Sequence, residues 1–124
     1  MTTATTGKDI ARAQELCAAI EAQAGVRCVI DARNVNPPCV LIVPIPGRDY
    51  SAGAGTACGG YVVTWSIWAL SAGPGNLDAA VVLGDLTDAV ASLLPGITTQ
   101  PTAYTVPGAG SPVPAVLITF TERL

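Results

Sequence analysis

Apolar and polar positions alternate most regularly in residues 61–70, YVVTWSIWAL. Tyr61, Val63, Trp65, Ile67 and Ala69 share one parity; Val62, Thr64, Ser66, Trp68 and Leu70 share the other, which is only half polar. A period of two sustained over this length predicts a long strand, packed on its first face and partly covered on its second. Residues 71–76, SAGPGN, break the pattern, and the period then changes. Val82/Leu83, Leu86, Ala89/Val90 and Leu93/Leu94 recur at helical spacing, with Asp78, Asp85, Asp88 and Ser92 on the other side. Residues 77–94 are thus an amphipathic helix. Asp78 suits the positive end of its dipole, and Pro95 with Gly96 terminates it. The rest of the chain is expected to pack against this strand–helix unit.

An earlier helix is predicted over residues 7–24, capped by Thr6. Ile10, Ala13, Cys17, Ile20 and Ala24, with Leu16 beside them, form its apolar stripe; Arg12, Glu15 and Gln23 lie off it, and Gly25 stops it. Residues 1–6 read as a polar, mobile arm. Residues 26–32 predict a short strand with Cys28 and Ile30 on one face and Arg27, Val29 and Asp31 on the other. After the turn-rich RNVNPP stretch, the continuous apolar run CVLIV at 39–43 predicts a strand covered on both faces and ended by Pro44 and Pro46. Residues 46–59 have the composition of a long loop. Residues 97–106 are extended and polar, 107–112 a loop, and 113–124 the last strand. In that strand Val116, Ile118 and Phe120 face one way; Ala115, Leu117, Thr119 and Thr121 face the other. Short connections favour hairpins. The expected fold is therefore α+β, a two-layer sandwich: a mixed or antiparallel sheet of about four to five strands with two helices packed on one face.

At 124 residues the whole chain, 1–124, is one domain. Only 12% of it is charged, whereas a soluble monomer's surface is usually about a quarter or more charged, so some uncharged surface is expected to face other protein. The net charge is -3, with basic residues scattered at Lys8, Arg12, Arg27, Arg33, Arg48 and Arg123. That excludes a nucleic-acid footprint built on a basic cluster. No apolar run approaches the roughly 18 residues needed to span a bilayer, and the N-terminus has no apolar signal core. The chain is expected to be made in a reducing cytoplasm.

Catalytic chemistry finds little to work with. The sequence contains no histidine, which removes the commonest general base and metal ligand and any Ser-His or Cys-His pair. Cys17, Cys28, Cys39 and Cys58 form no Cys-x-x-Cys pair. Buried free thiols are the expected state, a disulfide the alternative. Asp85 and Asp88, one turn apart, read as a solvated helix face. The glycines at 53 and 55 and at 73 and 75 lack phosphate-loop spacing, and Pro74 stands where a backbone donor would be needed. Asp31 and Arg33 are placed to form a surface ion pair. Trp65 reads as core. Trp68, of opposite parity, reads as a cover for the second face or as an interface anchor. No catalytic, cofactor-binding or metal-binding residue is assigned, and no cofactor is expected.

The layout as a whole resembles the tail terminator (tail completion) proteins of long, non-contractile-tailed bacteriophages. An amphipathic opening helix (8–24) is followed by a proline-flanked apolar strand, PPCVLIVP (37–44). A long loop leads into YVVTWSIWAL, then a helix beginning NLDAA and ending LLPG, and the chain closes on PAVLITFTE (114–122). The resemblance spans nearly the full length without a signature motif. It implies an α+β subunit, not an enzyme, that assembles into a hexameric ring in the virion. Such a ring docks on the tail tube protein, stops tube polymerisation and meets the head-tail connector protein; DNA passes through without specific binding. Contact segments in that family tend to be loops, which points to Arg48, Asp49 and Tyr50 in the 46–59 segment, with Trp68 added because tryptophan is enriched at interface hot spots. A head-tail adaptor of the same virion is the neighbouring alternative.

Overall fold

The computed structural model describes residues 7–50, 61–72, 77–107 and 112–123. Among them are two α-helices, α1 (Lys8–Ala24) and α2 (Leu77–Leu93), and six strands. The strands are β1 (Cys28–Val29), β2 (Cys39–Ile42), β3 (Gly47–Asp49), β4 (Val62–Leu70), β5 (Thr98–Thr105) and β6 (Pro112–Arg123). They form one sheet in the order β1-β2-β4-β6-β5, with β3 also paired to β4. The fold is α+β, as its period changes predict, with one strand more than expected.

β4 is the organising strand. Its whole length pairs antiparallel with β6, from Val62 opposite Arg123 to Leu70 opposite Ala115. On its other side β2 covers residues 67–70 and β3 covers residues 62–64, both antiparallel. β2 and β3 are thus one edge divided where Pro44 and Pro46, which have no backbone donor, interrupt the ladder. Val43 N still bonds Ser66 O at 3.0 Å between them. β3 is the additional strand and falls in the segment read as loop. With only three residues of mixed polarity, it has no periodicity to announce it.

The β1–β2 pair is parallel, not a hairpin. Asp31 accepts a bond from Arg33 N and opens a 3-10 turn at Ala32–Asn34. Pro37 and Pro38 then hold off the return strand until Cys39, because neither can donate to a ladder. β1 is short in consequence.

Both helices pack on one face of the sheet. Ala13, Leu16, Cys17 and Ile20 from α1 and Leu83, Leu86 and Val90 from α2 join Val40, Ile42, Val63, Trp65, Ile67, Ala69 and Ile118 in the main core. Trp65, Ile20, Ile42, Ile67 and Ile118 are fully buried. Each such side chain contributes about 1.5–3 kcal/mol of transfer free energy. A smaller cluster on the opposite face joins Val29, Val35, Cys39, Leu41, Leu70 and Ala115, with Trp68 and Tyr104 against it.

Two details of α1 depart from expectation. Gly7 occupies the N-cap position with no side-chain cap, and Thr6 lies outside the described residues, as does the rest of the predicted arm. Ile10 is exposed rather than part of the buried stripe. At the other end Gly25 takes the left-handed conformation (φ 71°) and its N–H bonds Glu21 O at 3.0 Å. That is the geometry for which a C-terminal glycine is suited.

Candidate functional site

Two surfaces hold the residues that the sequence singles out, and they lie on opposite faces of the sheet. The first is a polar clamp between the start of α1 and the ends of β3, β4 and β6. Arg48 of β3 stands opposite Val63 and so projects toward the helices. Its guanidinium lies over the Tyr61 ring, 4.6 Å from the centroid. Arg48 Nε donates to Asp9 Oδ2 at 3.0 Å, Nη2 donates to the same carboxylate, and Nη1 donates to Tyr50 Oη at 2.7 Å. The Tyr61 hydroxyl donates to Asp9 Oδ1 at 3.3 Å. Tyr50 packs on Tyr61 with ring centroids 5.3 Å apart, and Lys8 Nζ sits 5.3 Å from the Tyr61 centroid.

One helical turn along α1, Arg12 reaches Glu122 of β6 through Nε and Nη2, both at 2.9 Å. The Glu122 carboxylate also accepts the indole N–H of Trp65 at 2.9 Å. This bidentate pair raises the Arg12 pKa above its ordinary value, against the opposing effect of burial. Arg48 is raised likewise, first by its bond to Asp9. Tyr61 is raised by desolvation and then by the Asp9 charge, so it remains a neutral donor at physiological pH. The clamp consumes its donors and acceptors internally. It fixes the helix to three strands and leaves Tyr50 on the surface, with 57% of its area exposed.

The second surface is the helix-free face of β4, β6 and β5. Cross-strand register places Thr64, Ser66 and Trp68 of β4 beside Thr121, Thr119 and Leu117 of β6. Beyond them lie Thr98, Gln100, Thr102 and Tyr104 of β5. Thr64 and Thr121 share a hydroxyl hydrogen bond at 3.2 Å. Trp68 and Tyr104 rings meet at 5.2 Å, inclined by 55°. From Leu70 to Thr64 no side chain on this face of the three strands is charged; Arg123, opposite Val62 at the end of β6, is the first. β5 itself is exposed at every position except the half-buried Tyr104, and among the described residues it pairs with β6 alone.

The candidate interface residues therefore separate. Arg48 and Tyr50 share the clamp. Asp49, opposite Val62, lies on the other face of the sheet, the one that carries Trp68. Trp68 is half-buried and covers the smaller core cluster, so both roles foreseen for it remain compatible with its position. Residues 51–60 of the predicted contact loop, Cys58 included, lie outside the described residues.

Sequence reasoning overlooked Asp9, Arg12, Tyr61 and Glu122 as members of the clamp. A signal existed for Glu122: it shares parity with Ile118 and Phe120, and a charge on a core-facing parity implies a partner waiting inside. Asp31 and Arg33 do form their surface pair, 2.7 Å between Nη2 and Oδ2. Among the described residues no three of the Cys, Asp and Glu side chains converge as a metal-ligand set, and no helix is long and apolar enough to cross a membrane. Searches against protein-family models and curated proteins find no match to this chain.

Proposed function

We propose that this chain is a structural subunit of a phage tail. Copies of it associate into a hexameric ring that caps the tail tube, stops its polymerisation and presents a surface to the head connector. The observation that carries the proposal is the helix-free face ending in β5, whose charged side chains, Asp49 and Arg123, are confined to the end beside Val62. Natural sheet edges are blunted with charges, prolines, bulges or covering elements. β5 reads TTQPTAYT, with no charge and a single proline, and water reaches both of its faces. A strand of that kind suits burial against a neighbouring subunit, and closed rings provide such burial through one repeated heterologous contact.

The resemblance of residues 8–122 in layout to tail terminators is what favours this assembly over others. The scattered basic residues fit a ring through which DNA passes without being gripped. On this reading the protein acts in the virion, at the junction of tail and neck, and its partners are itself, the tail tube protein and the connector.

The test is solution mass by light scattering, for the chain alone and mixed with its tail tube protein. A hexamer seated on the tube supports the reading. A strict monomer that ignores the tube protein overturns it. In a phage lacking the chain, tails of uncontrolled length are expected; normal-length tails left unattached would instead indicate a head-tail adaptor.

A further inference from the structure

We propose that Cys17 and Cys28 are a reversible redox pair that closes into an intrachain disulfide, stapling α1 to β1. The observation is geometric. The Cys28 thiol donates to Cys17 Sγ across 2.9 Å, in a structure in which both are free. Cys28 is also held from behind: its backbone N–H donates to Glu21 Oε2 at 3.0 Å, and Glu21 lies one turn beyond Cys17 on the same helix. The strand and the helix are thus locked in register with the two sulfurs facing. Both thiols line a cavity of about 330 Å³ with Gln14, Glu21, Asp31 and Asn34, roomy enough to admit a small oxidant. Cys39 does not compete, because it packs in the smaller cluster on the opposite face of the sheet.

The two sulfurs have different parts. The hydrogen bond from Cys28 favours the Cys17 thiolate and holds the proton on Cys28. Cys17 is the nucleophile and Cys28 the resolving thiol. With hydrogen peroxide as oxidant, Cys17 S⁻ attacks one peroxide oxygen and the O–O bond breaks. The departing oxygen takes up a proton and leaves as water, and Cys17 becomes a sulfenic acid. Cys28 sulfur then displaces the sulfenic hydroxyl: the S–S bond forms, the S–O bond breaks, and the hydroxyl leaves as water with the Cys28 proton. The two thiols lose two electrons and two protons, and one hydrogen peroxide becomes two waters. A dithiol reductant reverses the step by exchange.

The pair is tested by exposing the folded, reduced chain to hydrogen peroxide, alkylating the remaining thiols and mapping peptides without reduction. The expected product is a Cys17–Cys28 cross-linked peptide lighter by two hydrogens, lost on treatment with dithiothreitol. Melting temperature should rise by about 5–10 °C in the oxidised form, as expected for closing a short loop. Recovery of the two thiols separately alkylated, or of Cys17 as sulfinic acid, overturns the proposal. So does pairing of either with Cys39 or Cys58. A second measurement uses Cys28→Ser, whose fold is checked by circular dichroism. Without a resolving thiol, Cys17 should be trapped as sulfenic acid by dimedone, and absence of that adduct counts against the assignment. None of these outcomes depends on whether the chain forms rings.

Discussion

Glu122 joins three elements through one carboxylate, and replacing it tests whether the clamp holds the fold together. In Glu122→Ala the Trp65 N–H loses its acceptor among the described residues, in a side chain that is 0% exposed. A buried donor left without a partner costs about 1–3 kcal/mol. Arg12 loses both of its bonds to β6. Its side chain is 32% exposed, so solvent screening limits that loss to about 0.5–1 kcal/mol. The expected destabilisation is therefore about 1.5–4 kcal/mol, a large share of a small domain's stability. Glu122→Gln keeps an acceptor oxygen of nearly the same shape and should cost about half as much. Urea unfolding followed by tryptophan fluorescence measures both. A double-mutant cycle with Trp65→Phe apportions the result, because phenylalanine removes the donor. If the donor is what suffers, Trp65→Phe should cost less in the Glu122→Ala background than in the native chain. Destabilisation below about 0.5 kcal/mol for Glu122→Ala, or purely additive effects in the cycle, would refute this account.

The remaining predictions concern separate parts of the chain. Asp31 is bonded by the Arg33 side chain and then by Arg33 N, which together lower its pKa to about 2 from 3.8. Its native pKa lies below its unfolded one, so its contribution to stability is complete above about pH 4 and is lost as pH falls toward 2. NMR titration of the Asp31 carboxyl should show the low midpoint, and Arg33→Ala should return it most of the way to 3.8. Gly25→Ala forces an L side chain into φ 71° and should destabilise by about 1 kcal/mol in thermal or urea unfolding, with no change in oligomeric state. If the chain caps a tail tube as proposed, Trp68→Ala should reduce its assembly on the tube protein by at least tenfold in binding measurements while the isolated chain remains folded; unchanged binding would remove Trp68 from the interface.

The parts of the fold legible in the sequence are those with a sustained period. β4, β6 and both helices were set by alternation or helical spacing, and the two-faced character of β4 follows directly from its parity sets. What escaped was short or depended on distant partners. β3 has three residues and exists because β4 offers a free edge at Val62 to Thr64. β1 is cut to two residues by a turn whose cap, Asp31, is visible in sequence only as half of an ion pair. The clamp was illegible because its members are far apart along the chain: Arg12 and Glu122 are 110 positions apart, and no local pattern links them. Cys17 and Cys28 present the same difficulty on a smaller scale. Each falls on a predicted buried face, but only the docking of α1 on β1 makes the two faces meet.

β5 is the element for which the fold and the proposed assembly make one joint demand. Ordering a strand costs about 1–2 kcal/mol of backbone entropy per residue. β5 offsets this through a ladder on one side only and through Tyr104, its one half-buried side chain. Pro101 adds nothing to that ladder as a donor, and among the described residues no helix covers either face. Within the isolated chain β5 should therefore be among the first strands to open, well below the free energy of global unfolding. Packing a neighbouring subunit against it would remove water from its free edge and from the Thr98, Gln100 and Thr102 side. Amide hydrogen exchange separates these states. In the free chain the β5 amides should exchange at least tenfold faster than those of β4, which is paired on both sides. In the presence of tail tube protein the protection of β5 should rise selectively, while β4 stays unchanged. Equal protection of β5 and β4 in a demonstrated monomer would mean that the strand needs no neighbour. The main physical reason for reading this face as a subunit contact would then be gone.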